Sequence, residues 1–472
     1  MTLPFFIAAT GGNETIAHQP VSSGITYLFT GLLVLMIASL AMEEKIHAKK
    51  SLIVGVFAVI ALFLGSALHI IPFGPITLPN GHTLEIPVYI PGVDWGVIAI
   101  IVGSSVFVDV TSRSGLFTWI AIKLTKFSQG NPVKLLWCYG LMTVVFSAVL
   151  NNVTAMIIVG SLTGVSLGKL NMRDKLLGFL LIEGLLTNIG GLLTLISSVP
   201  NIIVGNAAGI SFLSFFVKAS PYVAVATCAT LLLGAKLFKI QPIADPAERE
   251  KARQQIQGFD ENDGIESKNF FWFGAIMLGL FIITIASASA LPWIKELGMG
   301  FVALSFATIM LIRYKSKVDE FYRSIDWDLI GFFMALFVVI NVLEHAEVLT
   351  LIGKGIRAMI GTEESLFGTG ALLVASAGFS SVTDNIPLAA MLAKILSAQG
   401  APTTSPLWWS VVFGANLGGN LTPIGSASTL VAVTIIHKYK LTMSFAGFVK
   451  IALPYAIMQI TLAAAYVLLF LR

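Results

Sequence analysis

The chain has 472 residues, 56% hydrophobic and 11% charged, with a formal net charge of +4. A soluble domain carries about 25% charged residues, and several apolar runs here reach the about 20 residues that cross a bilayer. A soluble protein is excluded: the apolar runs are those of an all-α polytopic membrane protein, expected to have the lipid bilayer and no nucleic acid as a partner. Both cysteines, Cys138 and Cys228, lie in apolar runs and read as small core residues. The six histidines show no ligand-like spacing. Residues 1–23 lack a signal-peptide pattern and read as an exposed N-terminal tail.

In chain order, the apolar runs predict spans near 24–42, 51–71 and 95–111. A re-entrant hairpin follows over 135–168, then a broken helix over 176–206 and a span near 218–238. The charged stretch 241–269 reads as a cytoplasmic linker. Spans resume near 270–290, 300–313 and 329–343, followed by a hairpin over 367–398, a broken helix over 407–436 and a span near 448–470. With the N-terminus outside, 23 of the 29 Lys and Arg residues fall on the inside, as the positive-inside rule requires. Segments 113–127 and 346–360 mix basic and apolar residues and predict amphipathic helices at the two interfaces.

Two halves, 24–240 and 270–472, repeat the same landmarks. V-D-W-G-V-I at 93–98 answers I-D-W-D-L-I at 325–330. S-A-V-L-N-N-V-T at 147–154 answers S-S-V-T-D-N-I-P at 380–387. T-N-I-G-G-L-L-T at 187–194 answers A-N-L-G-G-N-L-T at 415–422. Each half holds five spans and one hairpin, so the second lies inverted relative to the first. Inverted repeats with broken helices in corresponding positions are a mark of secondary transporters, whose sites lie near the midplane.

The polar residues in these breaks are the candidate site: Asn151, Asn152 and Thr154 at the first tip, and Asp384 and Asn385 at the second. The broken stretches add Thr187, Asn188, Gly190, Gly191, Thr194 and Asn201, and Asn416, Gly418, Gly419, Thr422 and Ser426. Asn amides and freed carbonyls are hard oxygen ligands suited to an alkali cation, while half-helix N-termini suit an anion. The competing reading is that small and polar residues only hold helices together. Intramembrane carboxylates are costly and functional by default, which makes Asp384, Glu183 and Asp109 the proton-coupling candidates. Asp109 has a rival role as an ion pair with Arg113, four residues on. Glu344, with His345 and Glu347, is expected at the outer surface.

The paired S-x-x-x-[ND]-N and N-[IL]-G-G-x-x-T motifs resemble those of the ion transporter superfamily. Within it the chain is most similar to the arsenite permease and NhaD sodium–proton antiporter family, which includes the melanosomal P protein; dicarboxylate and citrate carriers have related tips. The resemblance covers most of both halves. It implies a homodimer with a scaffold domain and an elevator-like transport domain, in a bacterial inner membrane. Sodium or protons would be the coupling ion, without any other cofactor. It also implies a sodium site at Asn151, Asn152, Asn188, Asp384, Asn385 and Asn416. Three departures stand out. Asn151 replaces a frequent Asp, S-S-V-P-N at 197–201 replaces G-D-P-P-N, and Thr429 replaces a common Asn.

The expected function is a cation-coupled secondary transporter, first a sodium–proton antiporter. The alternative is a sodium- or proton-coupled carrier of a small anion such as arsenite, sulfate, a dicarboxylate or citrate. A pump would need a separate ATPase, because the chain lacks a phosphate-binding G-x-x-x-x-G-K-[ST] loop. No nucleophile elbow or metal cluster suggests an enzyme.

Overall fold

The computed structural model describes residues 21–71, 76–77, 81–87, 89–361 and 365–471. The expected tail over 1–23 therefore lies outside the described residues as far as residue 20. In chain order the first helices are α1 (Ser23–Ala41), α2 (Glu43–Ile46), α3 (Lys50–Ala67), α4 (Trp95–Arg113) and α5 (Leu116–Ser128). The first hairpin is α6 (Pro132–Val149) and α7 (Asn152–Lys169), and the first broken helix is α8 (Leu176–Gly190) and α9 (Val199–Ala208). Then come α10 (Phe212–Leu237), α11 (Pro246–Gln257), α12 (Lys268–Ser287), α13 (Pro292–Arg313), α14 (Val318–Ser324), α15 (Trp327–His345) and α16 (Val348–Ile360). The second hairpin is α17 (Leu366–Ser380) and α18 (Asn385–Ala398), the second broken helix α19 (Pro406–Gly418) and α20 (Ala427–Lys438), and the last helix is α21 (Phe445–Phe470). Among the described residues the only strands are a two-residue antiparallel pair, Ile76–Thr77 with Thr83–Leu84.

Nine described helices are long and apolar enough to cross a membrane. At 15 and 14 residues, α17 and α18 are too short for a hydrocarbon core of about 30 Å at about 1.5 Å per residue. The short run expected at 300–313 follows a break at Gly298, whose φ of 78° and ψ of 173° separate it from a helical piece that begins at Pro292. Lys295 and Glu296 lie in that preceding piece and interrupt its apolar pattern. Cys138 is buried as expected, but Cys228 is exposed. Its apolar run is a span with an outward face, and a one-dimensional pattern does not say which face a small residue takes.

The chain divides into two compact units, each drawing on both halves of the sequence. One comprises Met1–Ile98 and Asp326–Gly355; the other comprises Ala99–Ile325 and Ile356–Arg472. In the first unit α1 and α15 pack on α3. Both D-W landmarks are helix caps there. Asp94 accepts from the backbone N–H of Val97 at 3.1 Å, and Asp326 from that of Leu329 at 3.0 Å, so each satisfies an orphan donor at a helix start. The repeated aspartates thus have a local folding role. Glu344 and Glu347 are exposed in this unit.

In the second unit, α6 and α7 pack on α8, and α17 and α18 pack on α19. The returning halves cross over. α9, from the first broken helix, packs on α18 of the second hairpin, and α20, from the second, packs on α7 of the first. The linker does not run free of this unit. Its helix α11 is capped by Asp245, and Ala252, Ile256 and Phe259 are buried. Glu261 is clasped by Lys126 and by Lys123 at 2.7 Å. Those two hydrogen-bonded ammonium groups hold its carboxyl well below the usual range, at about 2. Lys169 at the end of α7 lies 4.1 Å over the Phe259 ring. Gly130, at a φ of 75°, admits the linker closely: a Cβ there would lie 2.8 Å from that of Ala252.

Candidate functional site

Each hairpin breaks because a polar residue caps the returning helix. Asn151 caps α7, its side-chain oxygen accepting from the N–H of Thr154 at 2.7 Å. Asp384 caps α18 in the same way, accepting from Ile386 at 3.0 Å. The broken helices are interrupted at Gly191–Ser198 and Gly419–Ser426, between α8 and α9 and between α19 and α20. Pro200 and Ser426 open the returning pieces, Pro200 by lacking an N–H where none is needed, Ser426 by accepting from Thr429 at 3.2 Å.

The hydrogen bonds that hold the breaks recur in both halves. Ser147 Oγ reaches the carbonyl of Thr187 at 2.6 Å, and Ser380 Oγ that of Ala415 at 2.5 Å. Thr194 donates to the carbonyl of Ala148 at 2.6 Å, and Thr422 to that of Ser381 at 2.5 Å. Gly190 and Gly418 let the broken helices touch the hairpin backbones. A Cβ on either would sit 2.6 Å from the carbonyl oxygen of Val144 or 2.2 Å from that of Ala377. For these residues the packing role holds, and it is what brings the asparagines together.

Asn188 is the hub of the first centre. Its amide nitrogen donates to Asn420 Oδ1 at 2.8 Å and Ser426 Oγ at 2.9 Å. Its oxygen accepts from Ser428 at 3.2 Å and from Asn152 at 3.3 Å. Ser147 donates to Asn152 Oδ1 at 2.5 Å. A Cβ on Gly191 would lie 2.8 Å from both polar atoms of the Asn152 amide, so only glycine leaves that amide room. Asn416 is the hub of the second centre. It donates to Asn201 Oδ1 at 2.9 Å and accepts from Ser198 at 2.7 Å. Asn201 in turn donates to the carbonyls of Gly191 at 2.7 Å and Thr194 at 2.9 Å. In both centres the partner serine comes from the opposite half of the sequence.

The structure thus brings Asn152, Asn188, Asn201, Asn416, Thr194, Thr422 and Ser426 together. Thr187 contributes its carbonyl, while its hydroxyl bonds back to Gly184 at 2.6 Å. Thr154 supplies a backbone N–H, and Asn151 is an exposed cap. Asp384 and Asn385 are half-buried at the second tip, and the Asn385 side chain makes no hydrogen bond among the described residues. Gly419 closes against Gly425 and Ser426. Asp109 pairs with Arg113 at 3.1 Å, and Arg113 also reaches Glu320 at 3.2 Å, so its rival reading as a structural ion pair is the one the geometry supports. Glu183 is fully buried in α8 and accepts from Thr163 at 2.6 Å.

One participant, Gln459, was not singled out from sequence; it is reached through Asn420 of the second broken stretch. Asn420 donates to Gln459 Oε1 at 2.8 Å and to the carbonyl of Leu185 at 3.1 Å. Gln459, fully buried, passes the chain on to Thr230 at 3.0 Å. A glutamine deep in the 26-residue apolar helix α21 was a readable signal, since buried polar side chains in membranes require partners. Among the described residues no group of three or more His, Cys, Asp and Glu side chains could hold a metal ion. A cation here would rest on amide, hydroxyl and carbonyl oxygens.

Comparison with known proteins gives a consistent picture. The profile of the citrate transporter family (CitMHS) matches residues 57–414. An uncharacterized transporter of Mycobacterium tuberculosis is 28% identical over 381 residues, covering 79% of this chain and 86% of the relative. The human P protein is 24% identical over 517 residues, covering 91% of this chain and 60% of the relative. The crystal structure of the Alcanivorax borkumensis YdaH transporter has the same fold class, with a TM-score of 0.58 at 12% identity over 94% of this chain and 98% of that one.

Proposed function

The chain belongs to the citrate transporter family of the ion transporter superfamily, and on that premise we propose that this integral multi-pass membrane protein carries a small multiply charged anion of the citrate class, driven by sodium or protons. The observation that carries this reading is the pair of neutral asparagine centres where half-helices meet. The Asn188 and Asn416 hubs bond to amides, hydroxyls and carbonyls and to no carboxylate. The N-termini of α7 and α20 converge on the first centre and that of α9 on the second, through Asn152, Ser426 and Ser198. Each such terminus carries partial positive charge and free N–H groups. A neutral centre framed by positive helix ends suits an anion, and the carbonyls freed at the breaks suit the accompanying cation. The hairpins and broken helices would move together as an elevator against the rest of a homodimer, as the sequence resemblance implies.

Sodium–proton exchange is the second reading, and Asp384 beside Asn385 at the second tip favours it. Purified protein in proteoliposomes separates the two. The first reading expects radiolabelled citrate to accumulate when a sodium or pH gradient is imposed. Sodium-driven proton release without any organic anion, and without citrate uptake under either gradient, would establish exchange instead.

A further inference from the structure

Glu183 stands five residues before Asn188 on α8, outside both asparagine centres. It is wholly buried. Thr163 of α7 donates to Oε1 at 2.6 Å, while Oε2 is buried with no hydrogen-bond partner. No Lys, Arg or His among the described residues pairs with it. Of the elements packed on α8, α6 presents the titratable Tyr139, and α20 presents Ala432 against Gly184. The charges on those elements lie at or near their ends: Lys134 of α6 is exposed, and Lys218 of α10 lies 5.9 Å over the Trp409 ring. Lys169 of α7 covers Phe259, His437 of α20 bonds the carbonyl of Met443, Lys175 pairs with Asp174, and Arg173, Lys236 and Lys438 are exposed. α9 and α19 bring no charged side chain to α8.

Holding helices together accounts for only one of the two carboxyl oxygens. A buried charge without a partner is costly, and a buried polar atom without one is as well. An oxygen that bonds nothing is the place where a proton binds. Fully buried hydroxyls extend from this point towards α5. Ser166 lies one turn beyond Thr163 on α7. Tyr139 of α6 donates to Ser166 at 2.7 Å, and Thr125 of α5 lies 2.6 Å from the Tyr139 hydroxyl. Ser128, at the end of α5, donates to the Thr125 carbonyl at 2.6 Å. Thr125, Ser128, Tyr139, Thr163, Ser166 and Glu183 all have no exposed surface.

We propose that Glu183 is a proton-binding site of this transporter, loaded along the buried hydroxyls of Thr125, Tyr139, Ser166 and Thr163, and coupled through α8 to the Asn188 centre. A proton adds to Oε2 of the carboxylate and leaves from it; no other bond changes. Neutralising the carboxylate alters the field at the junction of α7, α8 and α20, the helices that hold Asn152, Asn188 and Ser426. The proposal rests on the reading of the chain as a coupled transporter, but its primary test does not require transport.

That test is infrared difference spectroscopy of the purified wild-type protein during a pH titration. A protonated-carboxyl band that titrates between about pH 5 and about pH 9, and that is missing from Glu183→Gln, is expected. Absence of any titrating band assignable to Glu183 overturns the proposal. If Glu183→Gln does not fold, Thr163→Val serves. Removing the hydroxyl at Oε1 should shift the band and its midpoint, and an unshifted band overturns the assignment. In proteoliposomes, Glu183→Gln should flatten the pH dependence of radiolabelled citrate uptake. Wild-type pH dependence in that variant also overturns the proposal. Failure of wild-type protein to carry citrate under any gradient counts against the transport reading instead, and leaves the infrared result standing.

Discussion

The two asparagine centres are built alike and finished differently. Both have a hub asparagine, a serine from the opposite half, and serine and threonine bonds to the adjacent hairpin at matching positions. In the first, the tip joins the network: Asn152 reaches Asn188 and is held by Ser147. In the second, Asp384 accepts from the N–H of Ile386 in its own helix, and the Asn385 side chain makes no hydrogen bond among the described residues. The first centre also extends through Asn420 and Gln459 to Thr230, and the position that corresponds to Asn420 in the first half is Leu192. The first centre therefore ties its tip into the asparagine network. The second keeps a half-buried acid at its tip, beside an amide that makes no hydrogen bond among the described residues. On the proposed function, the second tip is the candidate for ion capture and the first for positioning.

The largest effect is expected at the acid. Asp384→Asn retains a good N-cap residue, so the fold should survive, while cation-driven citrate uptake falls by about 100-fold, equivalent to about 2.7 kcal/mol. Uptake within twofold of wild type would remove Asp384 from the coupling step. Gln459→Leu leaves one N–H of the Asn420 amide and the Thr230 hydroxyl without the partner that Gln459 provides, at about 1–3 kcal/mol for each buried group. A lower thermal midpoint with a reduced maximal rate is expected, and an unchanged midpoint would show that the extension is dispensable.

The two tips can be compared directly. Asn385→Ala should raise the half-saturating sodium concentration several-fold without altering the thermal midpoint, because its side chain has no hydrogen bond to lose. Asn152→Ala should lower the midpoint, because it breaks two. The same result for both variants would erase the contrast between the centres. The smallest effect lies outside them. The Glu261 carboxyl is held at about 2 against an ordinary 4.5. Its clasp is therefore present in full above about pH 4.5 and is lost as pH falls towards 2. Cleavage of the linker by trypsin should not vary between about pH 6 and about pH 8, but should rise with salt, which screens exposed ion pairs.

Much of this site was legible because polar residues and paired glycines are conspicuous inside apolar runs. Asn152, Asn188, Asn201, Asn416 and Ser426 were readable on that basis, as were the breaks at 151 and 384. The exchange of partners between halves was not legible. Asn188 could as well have met Ser198 as Ser426, and only the crossing of α9 and α20 decides between them. Gln459 was overlooked because one glutamine barely changes the hydropathy of a long helix. Glu183 drew notice as an intramembrane acid, but its hydroxyl neighbours Thr163, Ser166 and Tyr139 are on other helices. The linker's charge pattern reads as solvated, and the fit of Ala252 to Gly130 is a tertiary fact.

Equilibrium binding of radiolabelled citrate to the purified protein, with and without sodium, tests the central claim most directly when wild type is set beside Asn188→Ala. Wild type is expected to bind citrate saturably and more tightly in sodium, and the variant, folded by its circular dichroism, is expected to lose that binding. Wild-type affinity and sodium dependence in Asn188→Ala would place the cargo elsewhere and contradict the account.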